Sequence, residues 1–400
     1  MSTNMNQIQQ DEISNELQVF CGKYLFYPNQ NRNRMAEGGT RLSGKCKIRN
    51  VDEPLVTYVT AVRNSKNTIL RCMQSVWNQT YKNVEHIIID GASTDGTIEI
   101  LKAHENKIDY YISEPDKGIY NAINKGISLA QGDIICILGS DDWVESTAAQ
   151  VAVDALKNSQ CEFIATGTMG HDPAGGFTGY WSPKPVHAGT IFTCMDFCHN
   201  AIYATKKTYD LSGPYDESYK VTADFKWVMN CYKKGISMTY TDTVTTHYSS
   251  GGISSDPNKN SQDTIRVISE YYPFLSLDEC KKLFWTFYSY ADVIKEYVPY
   301  EGSENELMFI EEIMKKYQKK PDFVHSVGMA VLQKYSAVTK QTVKDSSLSM
   351  VKDGILHGFE NMGIKGCFYY LLKALKRRLA RQVQGTFLYT PLKRIYKLIK

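Results

Sequence analysis

Apolar runs and helical stripes alternate through the first part of the chain. Residues 55–62 (LVTYVTAV) form a mostly apolar run with the length of a buried strand, and Ile69, Met73, Val76 and Trp77 then recur at i, i+4, i+7 and i+8, as on one helix face. A second run, 84–90 (VEHIIID), leads through Gly91-Ala92-Ser93-Thr94 into a helix opened by Asp95-Gly96-Thr97. A third strand is predicted near 108–113. Ile119, Ile123, Ile127 and Ala130 mark a further helix, which Gly132 ends before the strand 134–138 (IICIL). Strands alternating with helices at this spacing predict an α/β fold with a mainly parallel sheet covered on both faces. In open sheets of this kind ligands sit beyond the carboxyl ends of the strands. That rule selects three polar loops, 60–64, 90–95 and 140–142, the last carrying the adjacent carboxylates Asp141 and Asp142. Such a pair is relieved by a cation or by solvent, so it is either a metal site or a solvated turn.

Composition adds bounds. A chain of 400 residues with 42% apolar and 22% charged side chains is ordinary globular material, enough for two or three domains. The start, MSTNMNQIQQDE, does not read as a secretory signal, and no run has the roughly 20 apolar residues of a membrane span. The ten cysteines are scattered without a CxxC pair, as expected of reduced thiols. Cys194, Cys198 and His199 cluster but lack a fourth ligand at zinc spacing. Ten of the 46 Lys and Arg fall in residues 361–400, where there is no Asp or Glu, so the rest of the chain has 36 basic against 43 acidic side chains. An acidic body with a basic tail points to two different partners.

Familiar nucleotide motifs are missing. The first strand-to-helix loop, AVRNSKNT, has no GxGxxG, and neither GxxxxGK[ST] nor a GxSxG elbow occurs. What remains is a nucleotide site built from carboxylates and a metal ion. The strings LVTYVTAVRN, NQTYKNVEHIIIDGASTDGT, ISEPDKGIYNAINKGISLAQGD and LGSDDW, followed by HNAIY at 199–203, YDESYKVTADFKW at 215–227 and GGIS at 251–254, resemble the catalytic domain of bacterial family 2 glycosyltransferases of the polysaccharide or O-antigen type. The likeness spans residues 55–254.

The resemblance implies an A-type glycosyltransferase fold, an α/β nucleotide-diphospho-sugar transferase fold, with a helical C-terminal region. Implied boundaries are an N-terminal extension (1–50), a catalytic domain (51–260), a helical region (261–360) and a basic amphipathic tail (361–400). It implies transfer of a hexosyl or N-acetylhexosaminyl group from a nucleotide sugar, a UDP-sugar foremost, to a hydroxyl of a saccharide or polyprenyl-linked acceptor. Asp90 matches the aspartate that meets the donor's base, with Thr60 and Asn64 in the first nucleotide loop. Ser93 and Asp95 fit donor contact or helix capping equally well. Asp116 and Lys117 precede a helix N-terminus suited to a diphosphate. Asp142 is assigned the Mg²⁺ or Mn²⁺ contact, Asp141 the ribose or a water-mediated contact, and His247 a further metal contact. Asp224 matches the base of an inverting displacement, against the alternative of a first-turn residue answering the helix dipole. His199 matches an acceptor-side residue, and Gly251-Gly252 a flap. The family often has Asp in place of Asn121 and Tyr in place of Arg63.

Phe368, Leu371, Leu372, Leu375, Leu379 and Val383 fall on one helical face with Lys373, Arg377 and Arg381 interspersed. That stripe favours an anionic membrane surface over nucleic acid as the tail's partner, and hence a cytoplasmic enzyme peripheral to the inner face of the cell membrane. A sugar nucleotidyltransferase and a non-catalytic nucleotide-sugar-binding protein are the alternatives.

Overall fold

The computed structural model describes residues 33–45, 47, 52–252, 256–288 and 303–341. These fall into two compact units, the first holding residues up to 185 together with 196–256, the second holding 186–195 and everything from 257 onward. Residues 186–195, expected in the catalytic domain, thus pack with the C-terminal helices.

The first unit is built on a ten-stranded sheet. Its parallel half follows the apolar runs, with β2 (Val56–Val62), β3 (Val84–Asp90) and β5 (Ile134–Ile137) joined by β4 (Tyr110–Ser113), in the order β4-β3-β2-β5. Every residue of β3 is buried, as two covered faces require. Glu85 is tolerated there because Thr57 Oγ1 (2.6 Å), the Gln131 amide (2.8 Å) and Arg41 Nη2 (2.5 Å) all reach its carboxylate. Helices α1 (Ile69–Trp77), α2 (Thr97–Ala103) and α3 (Ile119–Leu129) return the chain between these strands. Ile69, Cys72, Met73 and Val76 turn the buried face of α1 inward, while Arg71 and Gln74 stay exposed.

The other half of the sheet is mixed. β9 (Ile202–Thr205) runs antiparallel to β5 and to β7 (Phe163–His171), and β10 (Met238–Ser249) runs parallel to β7. β6 (Trp143–Val144) pairs antiparallel with β10 at the far edge, and β8 (Phe177–Trp181) forms a hairpin with β7. Helix α4 (Ala148–Ser159) covers this half. At the opposite edge β1 (Ala36–Gly38) adds antiparallel to β4, so the end of the expected N-terminal extension belongs to the sheet.

The second unit contains a short helix α5 (Thr190–Thr193), followed after the first unit's α6 (Lys206–Ser212) and α7 (Ala223–Lys233) by α8 (Pro257–Tyr271), α9 (Leu277–Phe287), α10 (Ser303–Lys316) and α11 (Pro321–Gln341). A capping box starts α9, with Ser276 Oγ accepting from the Glu279 amide (3.2 Å) and Glu279 Oε2 from the Ser276 amide (2.8 Å). Its core is aromatic, with Phe192 among Tyr272, Phe287 and Phe323. Among the described residues no helix is long and apolar enough to cross a membrane. The tail expectation for 361–400 lies outside the described residues, as do Ile253 and Ser254 of GGIS.

Candidate active site

Three strand-end loops are laced together. The Asn64 amide donates to Ser93 Oγ (2.7 Å) and Asn64 Oδ1 accepts from the Thr94 amide (2.9 Å). Ser65 contributes its amide to Thr97 Oγ1 (2.9 Å) and its hydroxyl to a contact with Ser140 Oγ (2.9 Å), while the Lys66 amide reaches Asp95 Oδ2 (3.0 Å). Asn64 adopts a left-handed φ of 53°, a conformation asparagine tolerates better than most residues.

Asp90 ends β3 fully buried. Oδ2 accepts from the Ser93 amide (3.0 Å) and Ser113 Oγ (2.6 Å), and Oδ1 from Ser93 Oγ, so the carboxylate braces the loop from below. Asp116 Oδ1 accepts from the Gly118 amide (2.9 Å), which caps the turn into α3, and Oδ2 leans over Gly91 where a Cβ would stand. The exposed Lys117 follows on the rim.

Thr60 requires correction. It lies inside β2 with no exposure, and its hydroxyl is 3.0 Å from His86 Nε2, so it supports the sheet and does not reach the loop surface. A strand buried on both faces directs every side chain into packing, and a hydroxyl there must find a neighbour in the sheet.

Asp141 and Asp142 crowd above Gly139, where a side chain would collide with Asp142 Oδ2 and press on Asp141 Oδ1. Burial pushes the Asp142 carboxyl up to about 8, with the Asp141 charge adding to the rise, and burial raises Asp141 as well. Asp142 Oδ1 accepts from the Ser249 amide (2.7 Å) and Oδ2 from Asn200 Nδ2. The Asp141 carbonyl takes Arg71 Nη2 (2.6 Å) and Ser249 Oγ (2.7 Å). Arg71 also lies 3.8 Å from the centre of the Trp143 ring, so α1 and β10 together hold the pair in place. A Cβ on Gly252 would stand 3.9 Å from Asp141 Oδ2, which sets the described part of the glycine pair beside the carboxylates.

Two crowded hard-oxygen carboxylates whose charge is penalised by burial fit a divalent cation such as Mg²⁺ or Mn²⁺. Among the described residues no third His, Cys, Asp or Glu joins them, so the remaining positions would fall to phosphate oxygens or water. His247, expected as a further metal contact, is held by neighbouring side chains. Its Nε2 is 2.7 Å from Glu145 Oε1, its Nδ1 is 2.9 Å from His171 Nε2, and its ring stacks on Trp143 at 4.8 Å. With both nitrogens engaged, it buttresses Trp143 from beside the carboxylate pair.

Asp224 stands half-buried in the first turn of α7. Its Oδ1 accepts from the Phe225 amide (2.8 Å) and lies 3.3 Å from Tyr120 Oη, while Tyr120 itself hydrogen-bonds the Val221 carbonyl. Tyr120 sits on α3, so Asp224 is tied to the helix that follows the Asp116 loop. Burial, with the negative fields of Asp142 and Asp224 adding to it, drives the Cys198 thiol well up. The turn His199–Ala201 after it carries Asn200 to Asp142, while His199 Nε2 meets Tyr215 Oη (2.7 Å). Asn200, Ser249 and Arg71 were not singled out in the sequence. Asn200 lay inside HNAIY, but the other two carry no local signal.

Residues 57–203 match the family described as Glycosyl transferase family 2. This segment is similar to family 2 glycosyltransferase domains. Over 249 residues the chain is 25% identical to a chondroitin synthase of Escherichia coli, covering 58% of this chain and 36% of that protein. Over 207 residues it is 29% identical to the Escherichia coli enzyme named UDP-Glc:alpha-D-GlcNAc-diphosphoundecaprenol beta-1,3-glucosyltransferase WfaP, covering 48% of this chain and 76% of that protein. The chain thus spans about a third of the length of the chondroitin synthase and about three quarters of the glucosyltransferase. Among solved structures, S. aureus TarS 1-349 in complex with UDP-GlcNAc is similar at 15% identity and a TM-score of 0.48, over 82% of this chain and 92% of that one. The architecture around the matched segment, an α/β sheet flanked by helices with further helices after it, is that of the A-type glycosyltransferase fold.

Proposed function

We propose that this glycosyltransferase moves a hexosyl or N-acetylhexosaminyl group from a nucleotide-diphosphate sugar to a hydroxyl of a saccharide or lipid-linked acceptor, by inverting displacement, in surface polysaccharide assembly of the O-antigen kind. The observation that carries this reading is the Asp141–Asp142 pair at the end of β5, with Asp142 buried and Asp141 half-buried. A UDP-sugar and a lipid-diphosphate acceptor are favoured by the name of the glucosyltransferase to which the chain is similar.

In this reading Asp142 and Asp141 hold Mg²⁺ or Mn²⁺. The ion, when bound, supplies Lewis-acid stabilisation of the diphosphate leaving group. Asn200 and the Ser249 amide fix the Asp142 carboxylate, and Arg71 fixes the Asp141 backbone. The loop from Asp90 to Asp95 and Asn64 shape the nucleotide end, while Ser93 both braces Asp90 and meets the Asn64 amide. Asp116 and Lys117 border the phosphate side, where the positive end of α3 favours an anion. Asp224 accepts the acceptor's hydroxyl proton at Oδ2, because Oδ1 is engaged by Phe225 and Tyr120.

The test is incubation with a panel of nucleotide sugars, with and without Mg²⁺ or Mn²⁺. Metal-dependent release of nucleoside diphosphate without pyrophosphate is expected, whereas pyrophosphate would identify a nucleotidyltransferase and no release a binding protein. Ten Lys or Arg within 361–400, beside an apolar stripe, support seating on the anionic inner face of the cell membrane. Deleting those residues should weaken sedimentation with anionic liposomes, and unchanged sedimentation would remove this part of the reading.

A further inference from the structure

At the amino-terminal ends of the parallel strands, away from the carboxyl-end loops, the first unit contains a cavity of about 400 Å³. It opens beside the start of β3. His86 in its lining precedes Asp90 by four residues along β3, a separation of ~13 Å at strand rise. The C-terminal end of α1 and the segments around Tyr81 and Asp109 complete the lining.

The chemistry of the lining is specific. Trp77 and His86 each carry a buried ring nitrogen, Nε1 and Nδ1, with no hydrogen-bond partner in the protein. His86 is only 1% exposed, and its other nitrogen is committed to Thr60 Oγ1 at 3.0 Å. Around the mouth stand three exposed lysines, Lys47, Lys82 and Lys107, with Lys107 Nζ 5.1 Å from the Trp77 ring centre. The one carboxylate in the lining, Asp109, accepts from the His86 amide (2.8 Å) and lies 4.0 Å from Lys47 Nζ. Lys82 and Lys107 are in no ion pair with it, so the local charge is positive. Trp77 and Tyr81 add aromatic surface.

We propose that this cavity binds a small ring compound bearing a phosphate or carboxylate group. The anion sits against Lys82 and Lys107, and the ring lies against Trp77 and Tyr81. The site stands apart from the carboxylates of the donor end, and its reading does not depend on the transfer reaction.

Phenyl phosphate, benzoate, inorganic phosphate and phenol are the probes, each titrated calorimetrically into the full chain. Phenyl phosphate should bind saturably, inorganic phosphate at least tenfold more weakly, and phenol without measurable heat. Replacing Lys82→Ala and Lys107→Ala together should weaken phenyl phosphate at least tenfold. Both lysines are exposed, so the fold should survive, as circular dichroism would verify. Asp142→Asn should leave the affinity within twofold. Equal affinity in the double lysine variant, loss of binding in Asp142→Asn, or no binding of phenyl phosphate to the unmodified chain would each overturn the proposal. A carboxylate preference would appear as tighter binding of benzoate than of phenyl phosphate and would assign the anion's source.

Discussion

At the scale of single residues, Asp142 and Asp224 separate two duties that a single carboxylate could not perform. Asp142 is held by donors on both oxygens and burial raises its pKa, so its charge calls for a cation, whereas Asp224 has only Oδ1 engaged. Asp224→Asn should therefore keep nucleotide-sugar affinity and lower turnover by about 10²- to 10⁴-fold, the span of general-base catalysis, while Asp142→Asn should lose the metal response of donor binding itself. Equilibrium binding and single-turnover transfer measured on both variants decide it, and a full rate in Asp224→Asn would refute the base. His86 gives a residue-scale effect on stability. Burial lowers its pKa from 6.5 to about 3, so the unfolded chain takes a proton near pH 6.5 that the folded chain refuses until about pH 3. The contribution of His86 is thus complete above pH 6.5 and declines as pH falls through that window, by about 1.4 kcal/mol per pH unit. Urea unfolding of the protein and of His86→Gln at pH 7, 6 and 5 should show a shallower acid loss in the variant; parallel curves would count against it.

At the scale of elements, the N-terminal piece around β1 is held by buried ion pairs as well as by its strand. Arg41 Nη2 lies 2.5 Å from Glu85 Oε1, with side-chain exposures of 11% and 1%, and Arg41 Nη1 donates to the Leu129 carbonyl at 3.0 Å. Arg41→Ala leaves a charge inside β3 with only neutral donors, which should cost about 3 kcal/mol, seen as a lower urea midpoint. Arg41→Met combined with Glu85→Met should recover most of that loss, since the buried charge then goes with its partner. How much of this was legible varied with burial pattern. The bounds of β2, β3 and β5 follow apolar runs because both faces of a parallel strand are covered, and the helix stripes beginning at Ile69 and Ile119 follow the 3.6 period. β1 was invisible because only Gly38 of its three residues is buried, and β10 because its threonine-rich run, two thirds of it short of full burial, shows no apolar alternation. In the site, Asp142 and Asp224 stood out as carboxylates at element ends. Asn200 and Ser249 act on Asp142 from 58 and 107 positions away, a pairing that only the sheet creates. Thr60 was misplaced because an apolar run does not say where a strand's polar residue finds its partner.

At the scale of the whole molecule, the residues placed in the transfer site all lie in the first unit, yet the chain of that unit is interrupted. Residues 186–195 leave it to pack with the C-terminal helices, and Ile191 and Phe192 become fully buried there. Phe192 meets the rings of Tyr272, Phe287 and Phe323 at centroid distances of 5.9, 6.0 and 6.2 Å, while Thr193 Oγ1 donates to Gln333 Oε1 at 2.9 Å. Each large apolar side chain buried in this way contributes roughly 1.5–3 kcal/mol, which is lost when its surroundings are removed. A chain ended at residue 256 keeps Asp90, Asp142 and Asp224 but strands Ile191 and Phe192 without their cover. It should aggregate on size-exclusion chromatography and bind an apolar dye strongly, in contrast to the full chain. Replacing 186–195 in the shortened chain by a Gly-Ser linker of equal length removes the uncovered side chains and should restore a monodisperse peak. A shortened chain that stayed monodisperse with the natural 186–195 in place would show that this segment does not need the helices it packs with.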